Sequence, residues 1–280
     1  MPCVDRAHAV ATRVTIPPVI HYVWVGDQPL PRKYEINIAS WRETNPEFEI
    51  RAWTNETIET KNPYLERCFA ERNWANASNY LRFSVVHAHG GVYLDTDVML
   101  LGSLKPMLKR KCFFGFQAEA QERDWVNNAV FGATAGHWFI RACMDRLVAD
   151  FDGTEPANHS APRLVTRMLV ENGLLAYRPR GVDVKDIRVY PRPVFYPYKW
   201  NEDFSFDAVT DKTVAVHFWD KTWQRQVEDA SNCDGTAALR ERCEAAEAAF
   251  QQLVLRTLMQ RRRKRAWRRW VDDSQHIATR

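Results

Sequence analysis

Two acidic residues, Asp95 and Asp97, stand two positions apart directly after a short apolar run, and their types and spacing are well suited to chemistry. Neighbouring carboxylates repel one another unless a cation lies between them. Hard divalent ions take carboxylate oxygens and complete their coordination with water or phosphate. The pair therefore predicts a divalent metal site that binds Mn²⁺ or Mg²⁺.

The residues around this pair predict the elements that position it. Residues 77–89 have the apolar spacing of a helix, and the Gly90-Gly91 pair ends it, because glycine accepts the left-handed conformation that a helix end needs. Val92–Leu94 then predicts a short buried strand. Alternation along that strand would turn Asp95 and Asp97 to the same face at its carboxyl end.

On the preceding helix, Asn79 and Arg82 are three residues apart and therefore share a face. That face would offer an amide and a guanidinium to the same crevice that receives the carboxylates. Open α/β sheets bind their ligands in such crevices, beyond the carboxyl ends of the strands. The segment from Ser78 to Val98 thus predicts a binding site for an anionic ligand and a metal ion.

The same segment resembles the Ser-Asp-x-x-Arg helix, Gly-Gly turn and Asp-x-Asp strand of the DXD-motif glycosyltransferases. This group includes the yeast initiating mannosyltransferase, bacterial capsular polysaccharide transferases and, more distantly, the clostridial glucosylating toxins. The resemblance covers roughly Ile16 to Trp223. It implies an α/β fold of the GT-A type, with a mostly parallel mixed central sheet that binds a nucleotide sugar.

The resemblance also implies roles for individual residues. Arg82 and Asp97 would be catalytic and would stabilise a departing diphosphate, directly or through the metal. Trp24 would stack on the nucleotide base, with a core tryptophan as the alternative, and His217 would be a metal or phosphate ligand, with a core histidine as the alternative. The implied donor-binding residues are Trp24, Asn79, Arg82, Asp95, Asn128 and Trp223, and the implied metal ligands are Asp95, Asp97 and His217.

The implied reaction moves a hexosyl or N-acetylhexosaminyl group from a UDP- or GDP-sugar to a hydroxyl of a glycan or glycolipid. It would be metal-dependent, would retain the anomeric configuration, and would serve capsule, other surface polysaccharide or glycolipid synthesis. A phosphohydrolase of the haloacid dehalogenase type is one alternative, although Met99 stands where that motif has Thr or Val. A non-catalytic nucleotide-sugar-binding protein is the other, because Asn79 stands where the group has Asp.

The totals indicate one large domain with an appendage: a lead-in at 1–15, a transferase domain at 16–235 and a C-terminal helix with a basic tail at 236–280. No apolar run approaches the length of a membrane span, and no secretory signal is visible, so the expected location is cytoplasmic. Six scattered cysteines without a C-x-x-C pair indicate reduced thiols rather than zinc. The net charge of +4 is concentrated in the tail, which gives no reason to expect nucleic acid as a partner.

The C-terminal segment combines an apolar pattern with a basic cluster. Its apolar spacing predicts a helix that packs on the body through Leu239, Cys243, Ala246, Phe250 and Leu253. The cluster Arg261–Trp270 carries seven basic residues and two tryptophans. It predicts peripheral contact with an anionic membrane, on the inner face, or alternatively a solvated helix end.

Five further segments have strand or loop patterns. Val19–Gly26 and Phe48–Trp53 predict strands that flank a helix at Pro31–Thr44, as in the first half of a nucleotide-binding sheet. Val189–Pro197 predicts an edge strand, and Thr213–Trp219 the last strand. Met99–Leu108 is expected to be a loop with a short helix.

Overall fold

The computed structural model describes residues 15–59, 61–220 and 237–278, and in the last range it describes the side chains of 241–264. The strands are β1 (Val19–Val23), β2 (Glu49–Trp53), β3 (Gly91–Leu94), β4 (Val98–Leu100), β5 (Cys112–Phe116), β6 (Val126–Ala133), β7 (Val182–Val184), β8 (Ile187–Tyr190) and β9 (Ala215–His217). The α-helices are α1 (Arg32–Thr44), α2 (Pro63–Ala70), α3 (Trp74–His89), α4 (Trp138–Asp150), α5 (Leu164–Glu171) and α6 (Ala237–Ala278).

Seven strands form the central sheet, in the order β2-β1-β3-β6-β5-β8-β7. β1 is parallel to β2 and β3, and β5 is parallel to β8. β6 is antiparallel to β3 and β5, and β7 is antiparallel to β8, so five of the seven strands run in one direction. The predicted α/β class, with a mostly parallel mixed sheet and a C-terminal helix, is confirmed.

Helices cover both faces of this sheet. Because side chains alternate along a strand, Tyr93 packs in a core with α2 to α5, whereas Val92 and Leu94 pack in a second core with α1. β4 and β9 form a separate antiparallel pair, and a third apolar cluster joins that pair to α6. The sheet is thus a buried platform whose strand ends are available for a site.

The helix predicted before the acidic pair is present as α3. The Asn73 side chain caps its first turn by accepting from the Asn76 N–H, and Gly90 ends it with a φ of 64°. The predicted first strand ends at Val23, before the loop that contains Gly26. His21 is fully buried, and its two ring nitrogens bond to the Gly90 carbonyl and the Trp53 indole N–H. Burial lowers the pKa of His21 to about 4.

Two predicted segments differ in the structure. Met99 and Leu100, predicted as loop, belong to strand β4, because β4 pairs with β9, which lies more than a hundred residues away in sequence. The segment predicted as an edge strand contains the end of β8, which is not at the edge, since β7 pairs with its outer side. The rest of that segment turns through a short 3-10 helix at Arg192–Val194.

The described part of the apolar stripe predicted to pack α6 on the body does not do so, and the Leu239 side chain lies outside the described residues. Cys243, Ala246, Phe250 and Leu253 are all exposed. The buried face of α6 instead carries a second series at the same helical spacing, formed by Ala248, Gln251, Val254, Leu255 and Leu258. Within the described part of the chain, no helix combines the length and apolar character that crossing a membrane requires.

The described cysteines are unpaired, in agreement with the prediction of free thiols. Cys68, Cys112 and Cys143 are buried, and burial raises their pKa values. Cys243 is exposed on α6.

Candidate active site

Asp95 and Asp97 lie in a tight turn between β3 and β4, not on the strand itself. The Val98 N–H donates to the Asp95 carbonyl over 3.0 Å and closes this turn. Strand alternation is therefore not what brings the two carboxylates together. The turn brings the two carboxylates together, at the carboxyl end of β3.

Asp95 is held by groups on α3 and β3. Arg82 approaches its carboxylate with both terminal nitrogens, at 3.1 and 3.3 Å, and the Tyr93 hydroxyl donates to it over 2.9 Å. Burial raises the pKa of the Asp95 carboxyl and outweighs the opposing attraction of Arg82. Burial also raises the pKa of Tyr93, so its hydroxyl stays protonated and able to donate.

Asp97 is held from β9 and the segment that follows it. Val98 pairs with His217 in the β4–β9 register, which places the His217 Nε2 3.1 Å from an Asp97 carboxylate oxygen. The Asp220 N–H donates to the same oxygen over 2.8 Å. Burial raises the pKa of Asp97, but His217 and this N–H prevail and hold it below its ordinary value. Burial lowers the pKa of His217, but Asp97 prevails and raises it.

These residues form a donor set that fits a divalent metal ion. One ligand atom each from Asp95, Asp97 and His217 lies within 4.8 Å of the other two. Two carboxylates and one imidazole leave room for further oxygen ligands, and carboxylates are the protein groups that suit Mn²⁺ and Mg²⁺. The structure thus brings together the three residues that the sequence and the resemblance predicted as metal ligands, and metal binding by them stays a prediction.

Arg82 is buried, and its guanidinium is saturated by the protein. Its N–H groups point to the Ser78 carbonyl and hydroxyl, the Asn128 carbonyl and the Asp95 carboxylate. The Arg82 guanidinium carbon, Cζ, also lies 4.9 Å from the centre of the Tyr93 ring. These are the contacts of a group that fixes Asp95 in place, and the stabilisation of a diphosphate by Arg82 stays a prediction.

Two asparagines predicted to bind the donor are buried. The Asn79 amide donates to the Ala157 carbonyl over 2.8 Å and to the Ser160 hydroxyl over 3.2 Å. The Asn128 amide nitrogen is buried without a partner among the described residues. An unpaired buried donor costs about 1–3 kcal/mol, which a ligand oxygen at this position would recover.

Trp24 is half-buried in the loop after β1 rather than part of the core. Its indole N–H donates to the Gln28 carbonyl over 2.8 Å, and its ring lies 5.7 Å from that of Tyr34. The Tyr34 hydroxyl donates to the Asp220 carboxylate, so Trp24 is linked to the Asp97 region through two side chains. The remaining predicted donor residue, Trp223, lies outside the described residues.

Helix α1 supports the acidic turn from behind. The Asn37 amide donates to the Thr96 carbonyl over 2.8 Å, and the Trp41 indole donates to the Val98 carbonyl over 2.7 Å. Helix α6 reaches the same turn indirectly, because the Gln251 amide donates to the Asn37 side-chain oxygen over 2.6 Å.

A second series of contacts connects α6 to the acidic turn through α1. Glu247 on α6 forms an ion pair with Lys33 at 3.0 Å, and Lys33 also pairs with Asp220, whose N–H holds Asp97. The C-terminal helix is therefore part of the support of the site.

Sequence reasoning missed several residues of the site. Tyr93 had a detectable signal, because it stands two positions before Asp95 and strand alternation indicates that they face the same way. Asp220, Lys33, Asn37 and Gln251 had no such signal, since their contacts join segments that are distant in sequence.

Two protein families match consecutive parts of the chain. Residues 31–114 match the family described as "Glycosyltransferase sugar-binding region containing DXD motif", and residues 132–250 match the "Alpha 1,4-glycosyltransferase conserved region". The first range includes Arg82 and both aspartates, and the second includes His217. The predicted resemblance to the DXD-motif glycosyltransferases is confirmed over these two ranges. Together with the observed sheet, it indicates a fold of the GT-A type.

Named relatives of this glycosyltransferase chain include two mammalian enzymes. It is 26% identical to mouse lactosylceramide 4-alpha-galactosyltransferase over 184 residues. This matched region covers 62% of this chain and 47% of the relative. The chain is 30% identical over 160 residues to human alpha-1,4-N-acetylglucosaminyltransferase, covering 54% and 44%. The chain thus spans less than half the length of these relatives. The phosphohydrolase and the non-catalytic alternatives receive no support.

Solved structures similar to this glycosyltransferase chain include two whose TM-scores are below 0.5. The PaToxG glycosyltransferase matches with a TM-score of 0.47 and 18% identity, over 56% of this chain and 70% of that one. The galactosyltransferase LgtC, in complex with donor and acceptor sugar analogues, matches with a TM-score of 0.45 and 13% identity, over 80% and 99%.

Proposed function

We propose that this protein transfers a hexosyl or N-acetylhexosaminyl group from a nucleoside diphosphate sugar to a hydroxyl of a glycan or glycolipid, in a metal-dependent reaction. The observation that supports it best is the buried cluster of Asp95, Asp97 and His217 beside Arg82, in a chain of the DXD family. The donor is a UDP- or GDP-sugar, and the acceptor belongs to a surface polysaccharide or glycolipid.

Asp95, Asp97 and His217 would hold the divalent ion, which we propose to be Mn²⁺ in preference to Mg²⁺ because imidazole is a poorer ligand for Mg²⁺. When bound, such an ion would neutralise charge on the diphosphate leaving group. Arg82 and Tyr93 orient Asp95, and the Asp220 N–H orients Asp97. The unpaired Asn128 amide would donate to a hydroxyl of the donor sugar, and Trp24 would pack on the base.

We propose retention of the anomeric configuration. Each carboxylate of the cluster already accepts two or more hydrogen bonds from protein groups, and neither is placed as a free nucleophile. A front-face substitution fits this arrangement. The acceptor oxygen bonds to the anomeric carbon as the bond from that carbon to phosphate breaks, and the leaving phosphate oxygen takes the acceptor proton.

We also propose that the protein works in the cytoplasm, attached peripherally to the inner face of an anionic membrane. The support is the basic cluster Arg261–Trp270 together with the exposed apolar stripe of α6. A protein at this surface meets lipid-linked acceptors without spanning the bilayer.

The transfer reaction is tested with a panel of UDP- and GDP-sugars in the presence of Mn²⁺, Mg²⁺ or EDTA. We expect turnover only with a divalent ion. Asp97→Asn should lower turnover at least 10²-fold, since several kcal/mol of leaving-group stabilisation are lost.

Asp145→Asn is the matched control, because Asp145 forms only a surface ion pair with Arg141 on α4. It should leave turnover unchanged. Full activity in EDTA, or in the Asp97→Asn variant, contradicts the proposal, and the anomeric configuration of the product, read by NMR, tests retention separately.

A further inference from the structure

A cavity of about 170 Å³ lies beside the metal cluster and contains none of the residues assigned above to the donor or the metal. Its walls are Gln117, Ala118, Glu122, Lys199, Trp200, Asn201 and Trp219. One water needs only about 10–15 Å³ of such space. The cavity is therefore large enough for a ring-sized ligand.

Two of its walls contact the site directly. The ring of Trp219 lies 4.2 Å from that of His217, centre to centre. In another wall, the Gln117 side-chain oxygen accepts from the Asn127 amide over 2.6 Å, and Asn127 precedes the unpaired Asn128. A ligand in the cavity is thus separated from the metal cluster by one side chain.

Trp219 is held in place at a conformational cost. Its φ of 57° is in the left-handed region, which a bulky residue rarely adopts. Its indole N–H donates to the Tyr198 carbonyl over 3.1 Å, and its ring also packs on Tyr196. These contacts position the Trp219 ring between His217 and the cavity.

The remaining walls offer groups suited to a sugar. The Trp200 side chain is 58% exposed, an unusual exposure for a ring of this size. The side chains of Glu122, Lys199 and Asn201 make no hydrogen bond or ion pair with another described residue. An aromatic surface with a few polar groups around it is the usual composition of a small-ligand site.

We propose that this cavity binds the acceptor sugar, with one ring packed on Trp200 and its hydroxyls bonded to Glu122, Lys199 and Asn201. Because Glu122 and Lys199 have opposite charges, the cavity suits a neutral pyranoside. The inference rests on the proposed function. In the transfer step, an acceptor hydroxyl oxygen bonds to the anomeric carbon of the donor sugar, the bond from that carbon to phosphate breaks, and the acceptor proton goes to the leaving diphosphate.

The test uses steady-state transfer to methyl galactoside, methyl glucoside and methyl N-acetylglucosaminide, with the best donor of the panel. Trp200→Ala should raise the acceptor KM at least tenfold and lower kcat less than threefold, because it removes binding surface but no reacting group. Trp200→Phe keeps an aromatic ring and should restore the KM to within threefold of the wild-type value. Methyl glucuronide should have a higher KM than methyl glucoside, and a lower one contradicts the assignment of a neutral sugar.

Leu175→Ala is the control, since Leu175 is an exposed apolar residue that does not line the cavity. It should leave the acceptor KM unchanged, and thermal melts establish that each variant is folded. If the wild-type chain transfers but Trp200→Ala has an acceptor KM within twofold of it, the acceptor site is elsewhere. If the wild-type chain neither transfers nor hydrolyses any donor, the proposed function itself fails, and this inference fails with it.

Discussion

Asn79 shows how one side chain can serve the fold at a position where related enzymes have an acid. The resembled motif has Asp there, and the resemblance implies that this position binds the donor. The structure gives the amide a structural task, because it donates to the Ala157 carbonyl and the Ser160 hydroxyl. A carboxylate accepts hydrogen bonds but cannot donate them.

We therefore expect Asn79→Asp to be destabilised by about 1–3 kcal/mol at pH 8, where a buried carboxylate would face a carbonyl oxygen. That environment raises the pKa of the new carboxyl above its unfolded value, so the loss should shrink as the pH falls and the group becomes protonated. Thermal melts of both proteins at pH 5 and pH 8 measure this difference. Equal melting temperatures at pH 8 would show that the hydrogen bonds donated by the Asn79 amide do not stabilise the fold.

At the scale of elements, the acidic turn is supported by two helices that contain none of the predicted metal ligands. Helix α1 holds Thr96 through Asn37, and α6 holds Asn37 through Gln251. Both side chains are buried, so removing the Gln251 amide leaves the Asn37 side-chain oxygen buried without its hydrogen-bond donor, which is costly. Groups that orient metal ligands typically contribute 10–100-fold to metal affinity.

Gln251→Ala should accordingly weaken Mn²⁺ binding by about tenfold, the lower end of that range, because Gln251 acts through Asn37 rather than on a ligand. Isothermal titration of Mn²⁺ into the purified protein measures the effect. Gln252→Ala is the matched control, since Gln252 is the same residue type at the next position and is only half-buried. The same Mn²⁺ affinity in both variants would remove α6 from the support of the site.

At the scale of the whole molecule, α6 presents one apolar face to the body and another to solvent. Phe250 and Leu253 are 56% and 60% exposed, and the exposed Arg256 and Lys264 lie on the same helix. The first three arginines of the basic cluster contact the body instead, through Asp207, the Thr213 carbonyl and Glu43. These contacts hold the first three arginines of the cluster against the body, and the exposed Phe250 and Leu253 offer an apolar contribution to membrane binding.

We expect the full-length protein to sediment with anionic vesicles at low salt and to be released as ionic strength rises, because clustered charges attract such a surface within a Debye length. A double variant with Phe250→Ser and Leu253→Ser should bind at least tenfold more weakly, since each buried apolar side chain contributes about 1.5–3 kcal/mol.

Leu175→Ser, an equally drastic change at an exposed site away from α6, should bind vesicles like the wild type. If the full-length protein fails to sediment even at low salt, the outward face of α6 is not a membrane surface.

The sequence by itself determined the local arrangement around the acidic pair. Helical spacing before Gly90, the glycine pair and the apolar run at Val92–Leu94 are properties of consecutive residues, and each is present in the structure. The same reasoning placed Asp95 and Asp97 together and named His217 as their partner by resemblance. It misjudged only how the two aspartates meet, because a strand and a turn after a strand have similar apolar patterns.

Only the tertiary structure decided what surrounds that pair. His217 reaches Asp97 through the register of β4 with β9, and Gln251 reaches the turn through Asn37; neither contact joins neighbouring segments. Helix α6 carries two apolar series at the same spacing, and its sequence cannot choose between them. The surface formed by α1, β4 and β9 decides which series is buried. A helix buries the face that meets complementary apolar side chains, here Met99, Leu101 and Val216.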